Sequence, residues 1–278
     1  MTRVLSALIL LPVIVGTIWF LPPVFTLLLA LIVALLAFVE YAALARALGA
    51  DIPRVIAGAG VLASCVAIAA TAPPPDVTIV EGTGVVTIPA PLDIVLLSAM
   101  VVVGAAIVAS RQPGPAVLRD TAASLLPMLY IGLPLGALVA VLLIGGRGAL
   151  LLLLAIVVVS DSAQYYTGRA FGRRPLAPAI SPKKTVEGAV GGLVFGTAAT
   201  VAGGSWVFDE QRPALLALTG ATIAALGIVG DLFESLLKRS AGVKDSSGLI
   251  PGHGGVLDRI DSWLFAAPVY YLFVRYFR

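Results

Sequence analysis

Nine long apolar stretches constrain what this chain can fold into. A helix of about 20 mostly apolar residues crosses the hydrocarbon core of a bilayer. Stretches near that length occupy residues 4–20, 24–45, 55–71, 92–110, 124–144, 149–160, 189–208, 215–233 and 263–277. Charged residues make up only 12% of the sequence, against about 25% in water-soluble domains. The sequence therefore predicts an all-α fold, a polytopic membrane bundle of about nine transmembrane helices.

The basic residues predict how this bundle lies in the membrane. Cytoplasmic loops retain Lys and Arg, and with nine spans and a cytoplasmic N-terminus 14 of the 18 basic residues fall on the cytoplasmic side. The connection at residues 72–91 contains Asp76 and Glu81 but no Lys or Arg, which suits an outer loop. The first 20 residues also resemble a cleaved signal. No small-x-small site follows Trp19 and Phe20, so we expect a retained first helix.

Polar residues concentrate in the second half of the chain. One integral domain is expected over residues 1–278, with N-terminal helices in 1–150 and the polar helix ends and cytoplasmic loops in 151–278. The polar segments are residues 160–174, 181–188 and 231–262. Each lies at the cytoplasmic end of a predicted helix. Because charge is costly inside a membrane and marks functional sites there, we expect the three segments to converge on one site.

The third polar segment places charged side chains on one face of a helix. Asp231, Glu234, Ser235 and Lys238 follow one another at offsets of three, one and three, so all four project from one face of a helix. Such a face inside an apolar segment must look into a polar cavity. Asp258 and Asp261 are likewise three residues apart at the opening of the last helix. Two carboxylates so placed can share a hard cation.

The connection between these two helices is rich in Gly and contains Pro251, and it has two interpretations. Gly and Pro form turns, and Gly also lets backbone N–H groups approach an anion closely. Four basic residues in this region favour an anion, because Lys and Arg bind phosphate groups. They are Lys238, Arg239, Lys244 and Arg259.

The second polar segment, SPKKTVEG, repeats this theme. Lys183 and Lys184 precede a helix that Thr185 can cap, and Glu187 suits the positive end of the helix dipole. The positive-inside rule alone accounts for two adjacent lysines. It does not account for Ser181 and Glu187 beside them, so phosphate binding remains a second interpretation.

Two acidic residues lie in or directly after predicted spans. Asp161 follows the sixth stretch, which is short and must extend through polar residues to finish crossing. An acid at this depth is a functional candidate, although an ion pair with Arg169 would make it structural. Glu40 is a similar candidate, with a snorkelling charge at the membrane interface as the alternative.

The sequence lacks the motifs of several enzyme classes. There is no GxxxxGK[ST] loop, no HExxH pair and no CxxC set, which excludes the usual NTPase, zinc protease and thiol redox sites. His253 is a candidate for a catalytic triad with a serine nucleophile and an aspartate, but the chain has no GxSxG elbow. We expect His253 to orient a loop or to donate to an anion.

The segment at residues 235–261 resembles the pattern of the phosphatidate cytidylyltransferases, also called CDP-diacylglycerol synthases. That pattern runs S-x-x-K-R, K-D, H-G-G and D-R-x-D, and it falls here on Ser235, Lys238, Arg239, Lys244, Asp245, His253, Gly254, Gly255, Asp258, Arg259 and Asp261. SPKKTVEG resembles a second family segment, although Val186 stands where the family usually has an aromatic residue. DSAQYYTGRAFGRRPL also looks typical. Residues 1–150 resemble the family only in hydropathy.

The resemblance implies transfer of a cytidylyl group from CTP to phosphatidate, giving CDP-diacylglycerol and pyrophosphate with Mg²⁺ as cofactor. It implies metal coordination by Asp161, Asp231, Asp258 and Asp261. It implies phosphate binding by Ser181, Lys183, Lys184, Ser235, Lys238 and Arg239. It implies catalytic roles for Asp231, Lys244, Asp245, His253 and Arg259.

The same resemblance implies the surroundings of the enzyme. CTP, phosphatidate and membrane lipid are the expected partners, and nucleic acid is not. A second cation such as K⁺ and a homodimer are left open. The expected location is a bacterial-type inner membrane, with the site on the cytoplasmic face.

Two other functions compete with this assignment. In a secondary transporter, Asp161 and Asp231 would carry protons or sodium near mid-bilayer. The charges cluster instead at one membrane face, and the sequence shows no inverted repeat. A CDP-alcohol phosphotransferase would share nucleotide and lipid chemistry, but its signature beginning D-G-x-x-A-R is absent.

Overall fold

The computed structural model describes residues 2–72, 92–208, 212–250, 252 and 254–277, with side chains from residue 11 onward. Most of the predicted outer connection, Pro251 and His253 lie outside the described residues. The part of the chain that is described forms nine α-helices, one π-helical turn and two short β-strands. They are α1 (Thr2–Phe20), α2 (Pro23–Ala47), α3 (Arg54–Ala70), α4 (Leu92–Ser110), α5 (Ala116–Pro127), the π-helical turn (Met128–Gly132), α6 (Leu133–Phe171), β1 (Pro175–Ala177), β2 (Ser181–Thr185), α7 (Val186–Val207), α8 (Pro213–Ser240) and α9 (Leu257–Phe277).

The predicted spans correspond to these helices, with one difference in the middle of the chain. The fifth and sixth spans belong to a continuous segment in which α5, the π-helical turn and α6 follow one another without a loop. Gly146 breaks the helical geometry of α6 with φ 76° and ψ 178°, a conformation that favours glycine because it has no Cβ. As the short sixth stretch predicts, α6 continues past Asp161 to Phe171.

The prediction of an all-α membrane protein is confirmed. In the described ranges, five helical segments are long and apolar enough to cross a membrane: Pro23–Ala47, Leu92–Ser110, Ala116–Phe171, Val186–Val207 and Pro213–Ser240. Leu11–Phe20 and Arg54–Ala70 are shorter apolar helices. The number of nine spans and the cytoplasmic N-terminus stay predictions.

A small β-hairpin interrupts the helices next to the second polar segment. Strands β1 and β2 are antiparallel and pair Pro175 with Thr185 and Ala177 with Ser181. The sequence analysis does not predict this hairpin, because three-residue and five-residue strands with mixed exposure show no clear alternation of apolar and polar residues. The hairpin places the two lysines of SPKKTVEG directly before α7.

Glycines in α7 allow this helix to approach the polar end of α6 closely. A Cβ atom added at Gly191 would collide with the side chain of Thr167, and one at Gly192 would collide with Gln164. Small residues at such positions let helix backbones come together in membrane proteins. The first turns of α7 therefore lie against the part of α6 that contains Asp161.

Helix α9 packs between other helices of the bundle. Tyr270 is fully buried, and its hydroxyl donates to the carbonyl oxygen of Ala149 in α6 (2.9 Å). Leu257 and Leu264 are buried in an apolar cluster with residues of α2, α3 and the π-helical turn. These contacts hold the first two turns of α9, which contain Asp258 and Asp261, at a defined place beside α8.

A separate ionic cluster ties the loop after α2 to the start of α5. Asp120 is buried, accepts a hydrogen bond from the backbone N–H of Asp51 (3.2 Å), and lies 3.3 Å from the Arg111 guanidinium. Arg111 also pairs with the Asp51 carboxylate at 2.6 Å. Its hydrogen bond and positive charge hold the pKa of the exposed Asp51 carboxyl below the ordinary value.

Candidate active site

The three polar segments converge on one cavity, as the topology predicts. Its volume is about 690 Å³, and its walls come from the polar end of α6, the hairpin, the first turn of α7, α8 and the start of α9. It is lined by Asp161, Gln164, Tyr165, Gly168, Arg169, Leu176, Lys183, Lys184, Thr185, Gly188, Ala189, Asp231, Lys238, Asp245, Asp258, Arg259, Asp261 and Ser262.

The cavity contains equal numbers of acidic and basic residues. Five aspartates and five Lys or Arg residues line it. Nine of these ten are residues that the sequence analysis proposes for the site: Asp161, Lys183, Lys184, Asp231, Lys238, Asp245, Asp258, Arg259 and Asp261. Both signs of charge within one cavity suit a ligand that combines phosphate groups with a cation.

The hairpin and the start of α7 present Lys184 to the cavity. Thr185 is the N-cap of α7, and its hydroxyl accepts a hydrogen bond from the Gly188 N–H (3.1 Å), as predicted. Glu187 accepts from the backbone N–H groups of Arg173 and Arg174 (3.0 and 3.2 Å), which ties the end of α6 to the start of α7. The Lys184 Nζ atom lies 2.5 Å from the Asp231 carboxylate of α8.

The charged face of α8 is present as its spacing predicts. Ser235 donates a long hydrogen bond to Asp231 (3.4 Å) one turn away. Lys238 lies between two carboxylates, those of Glu234 in the same helix and of Asp258 in α9. Glu234 is completely buried, and the side chain of Lys238 is only 11% exposed. Lys238 therefore pairs with buried carboxylates of the protein as well as lining the cavity.

Asp258 is held by the protein on both of its carboxylate oxygens. Oδ1 accepts from Lys238 Nζ at 2.5 Å. Oδ2 accepts from the backbone N–H groups of Ser246 (2.9 Å) and Gly255 (2.7 Å), and it lies 2.9 Å from the Ser246 hydroxyl. Asp258 is one of the predicted metal ligands, whereas its contacts here join α8, the Gly-rich connection and α9.

Three other aspartates of the cavity belong to the predicted metal site. Asp161, Asp231 and Asp261 come from three different helices and line the same cavity. Within the described part of the chain, no three His, Cys, Asp or Glu side chains lie close enough together to hold a metal ion as they stand. The Mg²⁺ site therefore stays a prediction. Carboxylate oxygens are the ligands this cation uses.

The Gly-rich connection turns its backbone toward carboxylates of the protein. The Val256 and Leu257 N–H groups donate to Glu40 (2.9 and 2.8 Å), while those of Ser246 and Gly255 donate to Asp258. These four groups do not point to a bound anion, so the turn interpretation holds at these positions. Glu40 is 4% exposed, and the interpretation of Glu40 as a snorkelling charge is wrong.

Some predicted site residues lie away from the cavity. Arg239 donates to the carbonyl oxygens of Ile180 (3.3 Å) and Val243 (3.2 Å), so it joins the hairpin to the end of α8. Lys244 lines a neighbouring cavity of about 630 Å³ that shares Asp245 and Arg259 with the first. Ser181 is in β2 and, like Ser235, it is not among the lining residues.

The structure also identifies partners that the sequence analysis does not place. Asp161 accepts from the Gln164 side chain (3.1 Å), one helical turn further on. Arg169, the residue considered as its ionic partner, lies instead beside the Tyr165 hydroxyl (3.4 Å). Gln164, Tyr165 and Arg169 all line the cavity. Their offsets of three, four and eight from Asp161 are the signal that could have assigned them to the same helical face.

The sequence matches a known family over nearly its whole length. Residues 1–277 match the cytidylyltransferase family. The chain belongs to this family. It is similar to the phosphatidate cytidylyltransferase of Haemophilus influenzae, with 47% identity over 135 residues (46% of each chain). It is similar to the enzyme of that name from Pseudomonas aeruginosa, with 45% identity over 125 residues (45% of this chain and 46% of the relative).

A third relative is the phosphatidate cytidylyltransferase of Helicobacter pylori strain J99, with 40% identity over 179 residues (64% of this chain and 63% of the relative). The chain therefore spans about half the length of the first two relatives and somewhat less than two thirds of the third. The family resemblance found in the sequence is confirmed.

Proposed function

We propose that this protein is a phosphatidate cytidylyltransferase, which transfers a cytidylyl group from CTP to phosphatidate and gives CDP-diacylglycerol and pyrophosphate. One observation supports this above the others: in a cytidylyltransferase-family chain, five aspartates and five basic residues line a single cavity at the polar ends of apolar helices. The relatives named above carry the same activity in their names.

The substrates explain why such a cavity needs both signs of charge. CTP and phosphatidate are both anionic, and the repulsion between their phosphates must be offset before they react. Lys183, Lys184 and Arg259 line the cavity, and we assign them to the phosphates, since Lys and Arg bind such groups by charge-assisted hydrogen bonds. A lipid substrate requires an entrance from the bilayer, which a helical membrane bundle provides between its helices.

Asp161, Asp231 and Asp261 are the residues that would hold Mg²⁺. They fit this role because they offer oxygen ligands from three helices around one cavity, and because Mg²⁺ needs only one or two carboxylates beside substrate phosphates. Asp231 also lies next to a cation already, the Lys184 ammonium. When bound, Mg²⁺ neutralises phosphate charge as it builds up during transfer. Asp258 supports the site indirectly, because its carboxylate binds Lys238 and the backbone of the Gly-rich connection.

The reaction requires little covalent chemistry from the protein. A phosphate oxygen of phosphatidate attacks the α-phosphorus of CTP, a new P–O bond forms, and the bond to the β-phosphate oxygen breaks to release pyrophosphate. A phosphomonoester is already largely ionised near pH 7, so no general base is needed. The protein acts mainly by positioning and charge stabilisation.

We infer that the bundle has nine spans and a cytoplasmic N-terminus, with the cavity on the cytoplasmic face. The concentration of basic residues on that side supports this orientation. CTP is a cytoplasmic metabolite, so a site on this face would meet its substrate directly.

The test is a direct assay of the purified protein in detergent. Radiolabelled CTP, phosphatidate and Mg²⁺ are expected to give a labelled lipid in the organic phase. Diacylglycerol in place of phosphatidate is the matched control, because it lacks the attacking phosphate. If no labelled lipid forms under varied metal conditions, the assignment fails. Proton or sodium uptake by proteoliposomes would then favour the transporter.

A further inference from the structure

We propose that Glu40 is a positioning residue for the transfer reaction, which it supports by clamping the Gly-rich connection and the start of α9. The inference rests on the proposed function. Glu40 lies in α2, far from the site along the chain, and it is not among the cavity-lining residues. Its contribution is therefore to hold other groups in place rather than to touch a substrate.

The Glu40 carboxylate is surrounded by donors from a single segment. Oε1 accepts from the Ser247 hydroxyl (2.6 Å) and the Val256 N–H (2.9 Å). Oε2 accepts from the Leu257 N–H (2.8 Å) and lies 2.9 Å from the Ser246 hydroxyl. Four contacts on a side chain that is 4% exposed make this carboxylate a clamp on both ends of the connection.

A carboxylate is the group that this arrangement requires. Each of its oxygens faces two donors, and an ionised carboxylate is an acceptor on both sides. A Gln side chain would place an NH₂ group against one serine hydroxyl and one backbone N–H. The hydroxyl can turn to accept, but the buried backbone N–H would be left unsatisfied. The surrounding chain is fitted to the carboxylate as well, because a Cβ atom at Gly255 would collide with Glu40 and with Ser246.

The start of α9 connects the Glu40 contacts to the cavity. Val256 and Leu257 are at the start of this helix, where the first N–H groups have no partner inside the helix. Glu40 supplies that partner from another helix. The next residues, Asp258 and Arg259, line the cavity, and so does Asp261 at the start of the second turn.

Ser246 connects Glu40 to the site at the N-terminal end of the Gly-rich connection. Its hydroxyl lies 2.9 Å from both Glu40 and Asp258, and its backbone N–H donates to Asp258. Asp245, the residue before it, lines the cavity. Loss of the Glu40 carboxylate would therefore disturb Asp245 and the α9 aspartates together, while Lys184 would keep its partner Asp231 in α8.

The first test is the Glu40→Gln variant, which keeps the size of the side chain. Because positioning residues behind a site typically contribute 10- to 100-fold, we expect kcat to fall about 10- to 100-fold. The KM for CTP should change less than kcat does, since Lys183 and Lys184, two of the three residues assigned to the phosphates, are not held by Glu40. Ser247→Ala removes one donor to Glu40 and should give a smaller fall in kcat, about threefold.

Asp120→Asn is the matched control. Asp120 is also a buried carboxylate that binds a loop, but its contacts are to Asp51, Arg111 and Arg119 and not to the cavity. We expect this variant to lower thermal stability and leave kcat unchanged. If Asp120→Asn lowers kcat as much as Glu40→Gln does, the effect is general destabilisation and the inference is overturned.

A second measurement follows the connection itself. Gly248 is exposed, and a Cβ atom added there meets no atom within 4 Å, so Gly248→Cys offers a site for a nitroxide spin label. The only native cysteine, Cys65, is fully buried. In this background we expect Glu40→Gln, and not Asp120→Asn, to increase the mobility of the label in electron paramagnetic resonance.

The two measurements separate the failure of this inference from the failure of the proposed function. If the unmutated protein makes no CDP-diacylglycerol, the function fails, and with it the positioning role. If it does make the product but Glu40→Gln changes neither kcat nor the mobility of the label, the clamp is refuted while the function stands. A rise in mobility without a loss of kcat also refutes the positioning role.

Discussion

Two lysines of the cavity form ion pairs in different surroundings, and their replacement should separate a structural role from a substrate-binding role. Lys238 lies between Glu234 and Asp258, whose side chains are 0% and 5% exposed. Lys184 pairs with Asp231, and these side chains are 20% and 33% exposed. The first pair is enclosed by protein. In the second pair the Lys184 ammonium is also buried, but the Asp231 side chain is 33% exposed.

Lys238→Met should therefore be strongly destabilising. Removing one partner of a buried ion pair leaves an uncompensated charge and typically costs about 3–5 kcal/mol. Lys184→Met should cost less, about 1 kcal/mol, because the Asp231 carboxylate that it leaves unpaired is partly exposed and can be hydrated. The free energy of unfolding can be measured in mixed micelles by titration with SDS, followed by far-UV circular dichroism.

Activity should show the opposite order in the protein that remains folded. Lys184→Met removes a cation proposed to bind phosphate, so we expect a large loss of turnover with only a small loss of stability. Adding Glu234→Leu to Lys238→Met should recover part of the lost stability, since it removes one of the two unpaired carboxylates. Equal destabilisation by the two single Lys→Met changes, within about 1 kcal/mol, would refute the reasoning about burial.

Three further predictions concern the metal and the packing of the site. Asp261→Asn should abolish Mg²⁺-dependent formation of labelled lipid, while size-exclusion chromatography shows a normally folded protein; wild-type turnover would remove Asp261 from the metal site. Chelation by EDTA should stop the reaction and added Mg²⁺ should restore it, and persistence of activity in EDTA would contradict the metal assignment. Gly191→Val should separate α7 from Thr167 of α6, lowering both stability and activity; an unaffected melting temperature would show that the two helices tolerate a wider spacing.

Much of the site could be predicted because charge is conspicuous in an apolar chain. The residues Asp231, Glu234 and Lys238 share a face through the helical repeat alone, and the structure confirms that face. Thr185 could be identified as an N-cap from its position before the helix. These features depend on neighbours a few positions apart, so the local sequence contains the information.

The pairing of the charges could not be predicted in the same way. Asp258 looks like a metal ligand from its spacing to Asp261, yet its carboxylate binds Lys238 and two backbone N–H groups. Arg239 and Lys244 fit the same basic pattern as Lys238 but lie away from the main cavity. A spacing rule identifies a shared face and leaves the opposite partner undetermined.

The sequence by itself determined a helical membrane protein with its chemistry in three polar segments, because hydrocarbon excludes charge and unsatisfied backbone. Only the tertiary structure decided which carboxylate meets which donor. Glu40 and Leu257 are 217 positions apart and are joined by a 2.8 Å hydrogen bond. Contacts of this kind depend on how distant helices pack against each other, and no local pattern of residues encodes that packing.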